Sequence, residues 1–397
     1  MKIVSIVGAR PQFVKLAPMS LAVTEHNRSH LSPEIEHVII HTGQHYDYQM
    51  NNVFFDELGI PAPDLCLGIG SGTHGRQTGA MIQSLEDVLM KEKPSWVVVY
   101  GDTNSTLAGA LAAAKLHMAV AHVEAGLRSY NRKMPEEINR VLTDHCTDLL
   151  FCPAENALTN LRKEGFTRII SRQRIQKTSV SRGPMKKPVF PIVIDVGDIM
   201  FDTLRTSVVI AERKSLILQN LMLRPKAYYL ATIHRPENTD DPKVLEALIT
   251  AFSRIHSDDR PVVFSVHPRT KKSMERFGLY EKAARSALLL DPPLSYFDML
   301  VMEKNAAKIL TDSGGVQKEA YFFRVPCITL RNETEWTETV AAKANVVVGS
   351  DPVRILKAVR TTSSRPGKLK WDIYGCGNAR KLIIKSLMHF RPDGRSY

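Results

Sequence analysis

Between residues 100 and 140 the chain reads YGDTNSTLAGALAAAKLHMAVAHVEAGLRSYNRKMPEEINR. Three carboxylates in this stretch are placed for chemistry. Asp102 ends one apolar run, Glu124 ends the next, and Glu136 follows a proline. Acids at the carboxyl ends of buried strands face the crevice in which open α/β sheets bind ligands. Carboxylates around one site can be pushed to different pKa values and so divide the work of general base and general acid. The residues alone do not apportion those two roles among the three.

Other segments carry groups suited to an anionic ligand. VGARPQFVK follows the first apolar run, where Gly8 permits a tight turn or close approach and Arg10 and Lys15 supply positive charge. The pattern is not GxGxxG, which disfavours the usual dinucleotide fingerprint. In TDSGGVQKEA, Ser313, Gly314 and Gly315 join a strand-like run to a helix-like one. Bare N–H groups at a helix start form an anion site, and glycines let a diphosphate come close. Glu319 falls one turn into that helix, where an acid can hold ribose hydroxyls or simply face solvent. ATIHRPEN puts His234 at the end of an apolar run, able to donate to a phosphate or act as an acid. SVHPRT repeats that shape with His267 and Arg269, and HTGQHYD adds Gln44 and His45. None of these histidines has metal-ligand spacing to an acid or cysteine, so no metal is expected.

These residues need a frame, and the hydropathy pattern supplies one. KIVSIVG, HVIIHTG, WVVVYGD and VAHVEAG read as strands in the first half. AYYLATIH, PVVFSVHP, ALLLDP, KILTDSGG, CITLRN and NVVVGSD read as strands in the second. Unbroken apolarity rather than alternation predicts strands covered on both faces, as in parallel sheets. TLAGALAAAKLH, KVLEALITAFSRIH and VQKEAYFF read as helices between them. The expected fold class is α/β, with two Rossmann-like domains whose parallel sheets face each other across a cleft. The expected boundaries are 1–190 and 191–375, with a helical tail at 376–397 that can pack back on the first domain. Residues 166–192, basic and containing GPMKKPVFP, interrupt the alternation just before that junction.

Length and composition narrow the class further. A chain of 397 residues is long for one core. No apolar stretch reaches the roughly 20 residues that span a bilayer, and the start lacks the features of a signal peptide, so a cytoplasmic protein without membrane contact is expected. The odd cysteine count, five, without CxxC spacing argues for reduced thiols. The net charge of +12 favours anionic partners, part of it lying in the basic run 162–187, where Glu164 is the single acid. That run reads as a solvated loop or a subunit or substrate contact. With Phe166 alone interleaved, nucleic acid is not the expected partner.

Taken together, GARPQFVK, GDTNST, HVEAGLRS, PEEINR, HRPEN and TDSGGVQKEA resemble the non-hydrolysing UDP-N-acetylglucosamine 2-epimerase family, in order and spacing, across residues 1 to about 340. The details RPQF, HTGQHYD, PEEINR and ETEW are most similar to the branch that includes UDP-2,3-diacetamido-2,3-dideoxyglucuronate 2-epimerases. The resemblance implies a fold like that of GT-B glycosyltransferases and a homodimer. It also implies inversion at C2 of a UDP-N-acetylhexosamine without NAD or other cofactor, through elimination of UDP and re-addition. By motif, Asp102, Glu124 and Glu136 match the family's catalytic carboxylates and His234 its catalytic histidine. Arg10, Lys15, Ser313, Gly314, Gly315 and Glu319 match its nucleotide-sugar contacts. Trp336 departs from the arginine of many members that use plain UDP-N-acetylglucosamine, which favours a modified sugar, and Met299 stands near a position often aromatic there. A GT-B glycosyltransferase shares the phosphate turn but needs an acceptor, and a non-catalytic nucleotide-sugar sensor would not need the acids.

Overall fold

The structure, a computed structural model, describes the chain apart from residues 31, 45–57, 178–188, 291, 293, 363–372, 391 and 393–397. The chain divides into two compact units, one of Met1–Arg205 with Asp372–Tyr397 and one of Thr206–Trp371.

The first unit is built on an eight-stranded sheet, all of whose pairings are parallel. Its strands are β1 (Lys2–Val7), β2 (Glu36–His41), β3 (Leu65–Cys66), β4 (Trp96–Tyr100), β5 (Val120–Val123), β6 (Leu149–Cys152), β7 (Ile169–Ile170) and β8 (Ile192–Asp195). They lie in the order β3-β2-β1-β4-β5-β6-β8-β7. Every residue of β4 and β5 is buried, as their unbroken apolarity requires. On one face Val4, Ile6, Val97 and Val99 pack against Met81, Leu85 and Leu89 and against the alanines of the helix Asn104–Lys115. Small residues let that helix lie close. A Cβ at Gly109 would stand 2.8 Å from Ile6 Cδ1 and 3.0 Å from Val99 Cγ1.

The second unit repeats the plan with six strands: β9 (Tyr229–Ile233), β10 (Val262–Val266), β11 (Leu288–Leu290), β12 (Lys308–Thr311), β13 (Cys327–Thr329) and β14 (Asn345–Val347). The order is β11-β10-β9-β12-β13-β14, again with parallel pairings. Leu248, Phe252, Phe264 and Ile355 fill one side of this sheet, and Tyr228, Val263, Met302 and Ala320 belong to the other cluster. In both sheets the winding reverses beside the first strand, between β1 and β4 and between β9 and β12. Such topological switch points are where doubly wound sheets open a crevice at the strands' carboxyl ends.

The expected start of a second domain at residue 191 falls inside the first sheet. Ile192–Asp195 pairs with β6, so the first sheet continues past residue 190. The stretch 166–192, read as an interruption, contains β7 and a helix Arg172–Lys177. Within it, 178–188, including Arg182, Lys186 and Lys187, lie outside the described residues. Near the chain end, the helix Ala379–His389 sits on the first unit. Trp96 Nε1 donates to Leu387 O at 3.0 Å, and the Asp202 carboxylate accepts from Ala379 N and Arg380 N at the helix start. A carboxylate there meets the positive end of the helix dipole.

Candidate active site

In the first unit, the turns after β1 and β4 meet through Gln12. Its Oε1 accepts from Gly8 N at 2.8 Å and Ala9 N at 3.0 Å, and its Nε2 donates to Tyr100 O and Thr106 Oγ1, each at 3.1 Å. Gly8 is there for space. A Cβ would overlap the hydroxyls of Thr42 and Ser105, which bond each other at 2.8 Å. The helix Arg10–Arg28 starts immediately, with Arg10 half-buried at its first position.

Lys15, expected as a substrate contact, is buried one turn further on. Its Nζ stands 3.0 Å from Glu124 Oε2 and donates to Pro11 O. Glu124 follows β5 with φ at +74°, a left-handed conformation that costs a non-glycine residue about 1–2 kcal/mol. Strained backbone of this kind persists where surrounding contacts over-determine it, and it clusters at functional sites. Gly101, also left-handed, leaves this pair room: a Cβ there would stand 3.5 Å from Glu124 Oε2 and 3.6 Å from Lys15 Nζ.

Asp102, the next residue, pairs with the buried Arg140, Oδ2 to Nη2 at 2.5 Å. Its carbonyl accepts from Asn139 Nδ2 at 3.0 Å. Both partners come from the helix Pro135–His145, whose first turn carries Glu136 and Glu137. These neighbouring acids differ. Glu137 is buried and accepts from Ser129 N, Ser129 Oγ, Tyr130 N and Arg140 Nη1. It therefore holds the loop 128–130 and the arginine of Asp102. Glu136 is half-buried beside it.

Beneath the two turns lies a buried His122–Asp144 pair, with Nδ1 and Oδ1 at 2.7 Å. Burial opposes the charge on Asp144, but His122 and Arg128 outweigh it and hold the carboxyl below its ordinary range.

In the second unit, His234 and Ser313–Gly315 stand at the carboxyl ends of β9 and β12, the two strands of the switch point. Asp312, fully buried, joins them. It accepts from His234 N at 3.0 Å, Arg235 N at 3.0 Å and Asn238 Nδ2 at 2.9 Å, and its Oδ1 lies 3.4 Å from His234 Nδ1. The His234 ring lies beside that of His267, centroids 5.4 Å apart. Ser313 caps the helix Gly314–Phe322, its side chain accepting from Val316 N. Glu319 lies within this helix and is buried. Trp336 is 4% exposed, and Lys318 Nζ lies 4.2 Å from its ring centroid, so it is a packed aromatic. Of the two residues in HTGQHYD, Gln44 binds Ser105 N and Oγ, while His45 lies outside the described residues.

Comparison with known proteins decides the family. The profile described as UDP-N-acetylglucosamine 2-epimerase matches residues 27–388. The chain belongs to this family. It is accordingly an enzyme of isomerase type, with a two-domain α/β fold. A UDP-N-acetylglucosamine 2-epimerase homolog of Methanococcus maripaludis is 49% identical over 390 residues, covering 98% of this chain and 99% of that one. The UDP-2,3-diacetamido-2,3-dideoxy-D-glucuronate 2-epimerase of Pseudomonas aeruginosa is 43% identical, covering 98% and 99%. The crystal structure of Methanocaldococcus jannaschii UDP-GlcNAc 2-epimerase in complex with UDP-GlcNAc and UDP superposes with a TM-score of 0.82 at 40% identity, covering 98% and 100%.

Within this site, sequence reasoning missed Arg140, Glu137, Asp144 and Asp312. Arg140 closes the quoted PEEINR segment and was findable, because it falls one turn after Glu136 on the same helix. Among the described residues, no group of three or more His, Cys, Asp or Glu side chains is arranged to hold a metal, and no helix is long and apolar enough to cross a membrane.

Proposed function

We propose that this chain inverts C2 of a UDP-N-acetylhexosamine, UDP-N-acetylglucosamine to UDP-N-acetylmannosamine in type, without hydrolysis. A base removes the C2 proton, and the C1–O bond to UDP breaks with its electron pair leaving on the diphosphate. The resulting 2-acetamidoglucal takes UDP back at C1 and a proton at C2 on the opposite face. Asp102, Glu124 and Glu136 are the proposed proton-transfer groups of the first unit, with Arg10 and Lys15 supplying cationic charge there. His234 and the Ser313–Gly315 turn are the proposed diphosphate ligands of the second, with Glu319 proposed for the ribose.

One observation supports this reading most. Each of the two strand-end acids of the first unit is held by a cation with little exposure, Asp102 by Arg140 and Glu124 by Lys15. Such a partner fixes each carboxylate at its strand end, and a general base must be held in place to take the C2 proton. Incubation with UDP-N-acetylglucosamine in deuterated water tests it. Deuterium at C2 of both epimers is expected, and absence of label with both UDP-N-acetylglucosamine and the diacetamido-uronate would defeat the proposal.

The diacetamido-uronate is the second reading for the substrate. It is favoured by the 43% identity to the Pseudomonas aeruginosa enzyme and by Trp336. A side-by-side assay of the two UDP-sugars separates them. The homodimer is part of the proposal, and sedimentation at a mass twice 44.5 kDa is its expected signature.

A further inference from the structure

Two turns carry two of the proposed carboxylates of the first unit, Asp102 and Glu124, and one buried pair touches both. The carbonyl of Gly101, in the peptide that leads into Asp102, lies 2.7 Å from His122 Nε2. The amide of Gly126, two residues beyond Glu124, donates to Asp144 Oδ2 at 3.0 Å. His122 and Asp144 bond each other at 2.7 Å, and neither has any exposed surface. A carbonyl only accepts, which places a proton on Nε2. Arg128 completes the chain, donating to Asp144 at 2.7 Å and through Nε and Nη2 to Glu164, each at 2.7 Å. Gly101 and Gly126 have φ of +64° and +80°, and Glu124 between them +74°. Glycine adopts such a conformation without strain, so of the three Glu124 is the residue that needs outside support.

We infer that His122 and Asp144 are positioning residues for the epimerisation, a buried strut that fixes the spacing of Asp102 and Glu124. The inference rests on the 2-epimerase reading and adds residues to which that reading gives no role. Buried ionic groups rarely stabilise a fold better than well-packed apolar ones would, so their presence here calls for another use. Setting the register of two acids is such a use, since misplacement by about 1 Å can cost roughly 100-fold in rate. Neither side chain reaches solvent, so neither is a group that meets the sugar.

One-sided variants test the strut. His122→Asn keeps a polar group near Asp144 and loses the Gly101 bond, while His122→Gln keeps a donor near Gly101 and loses the Asp144 bond. For each folded variant, kcat and C2 deuterium incorporation should fall roughly 100-fold, with KM and the affinity for UDP within about 3-fold of the parent. Peptides spanning 100–104 and 124–128 should both lose protection in hydrogen exchange. Retained kcat, or kcat, UDP affinity and melting temperature falling together, would overturn the inference. So would loss of protection in one segment alone. Should neither variant fold, the parent protein decides: NMR should find a slowly exchanging His122 Nε2 proton, and its absence overturns the inference. Failure of the underlying function is distinct, because the parent would then epimerise neither UDP-sugar while the exchange and NMR readouts still report on the strut.

Discussion

Lys15 Nζ lies 3.0 Å from Glu124 Oε2, and the two side chains are 6% and 8% exposed. A buried pair of this kind is costly to break from one side, by about 3–5 kcal/mol, because the other charge keeps its buried place. Lys15→Met should therefore lower the free energy of unfolding by about 3 kcal/mol. Adding Glu124→Gln should recover most of that loss, although both proteins should be inactive as epimerases. Denaturant titration of the four proteins of the double-mutant cycle checks the coupling. Equal destabilisation by the single and the double substitution would contradict it.

Glu136 and Glu137 are neighbours in one helical turn with opposite expected phenotypes. Glu137 accepts four hydrogen bonds, from Ser129, Tyr130 and Arg140, in a buried place. Glu137→Ala should cost about 3 kcal/mol and lower Tm by on the order of 10 °C. Glu136→Gln should leave Tm within a few degrees while kcat falls roughly 100-fold or more, the usual worth of a positioned acid or base. Thermal melts beside a C2 deuterium-exchange assay read both. Reversed phenotypes would move the proposed catalytic role to Glu137.

That pair also marks where the sequence stops being legible. Ten strands were readable because parallel strands are apolar throughout, with three of the helices between them, and His234 follows the end of its strand directly while Asp102 follows one residue later. The weak strands Leu65–Cys66 and Ile169–Ile170 are two residues long and carry no periodicity. Ile192–Asp195 was readable as apolar but not as to which sheet it joins, since pairing is a tertiary choice. Burial was the other hidden quantity. Lys15 looks from the sequence like a charge at a cleft mouth, yet it is buried against Glu124. Asp144 and Asp312 look like ordinary acids, yet each organises buried donors from segments far apart in the chain.

Trp336 and Lys318 make a local prediction about the second unit. Lys318 is fully buried with its Nζ 4.2 Å from the Trp336 ring centroid. Trp336→Arg would set a guanidinium beside a buried ammonium. Like charges so placed repel, and the variant should lose about 2 kcal/mol or more. Lys318→Glu in the same chain should return most of it by converting repulsion into an ion pair. Chemical denaturation of the two variants gives the comparison. Equal stability of both would show that the Lys318 charge does not sense position 336.

Asp202 sets a pH dependence. Burial pushes its carboxyl up to about 6, against the amides of Ala379 and Arg380 and the Arg380 guanidinium, which pull it down. The unfolded value is near 3.8. Because the folded state holds the proton more tightly, this group's contribution to stability is full below about pH 4 and is lost as pH rises through about 6. A displacement of about two units corresponds to about 3 kcal/mol. Asp202→Asn removes the titration while keeping one oxygen for the helix start at Ala379. Its penalty relative to the parent should therefore shrink between pH 4 and pH 7, by on the order of 3 kcal/mol. Unfolding free energies at half-unit pH steps measure it. A penalty that stays constant, or grows with pH, would mean that the folded protein does not raise this carboxyl.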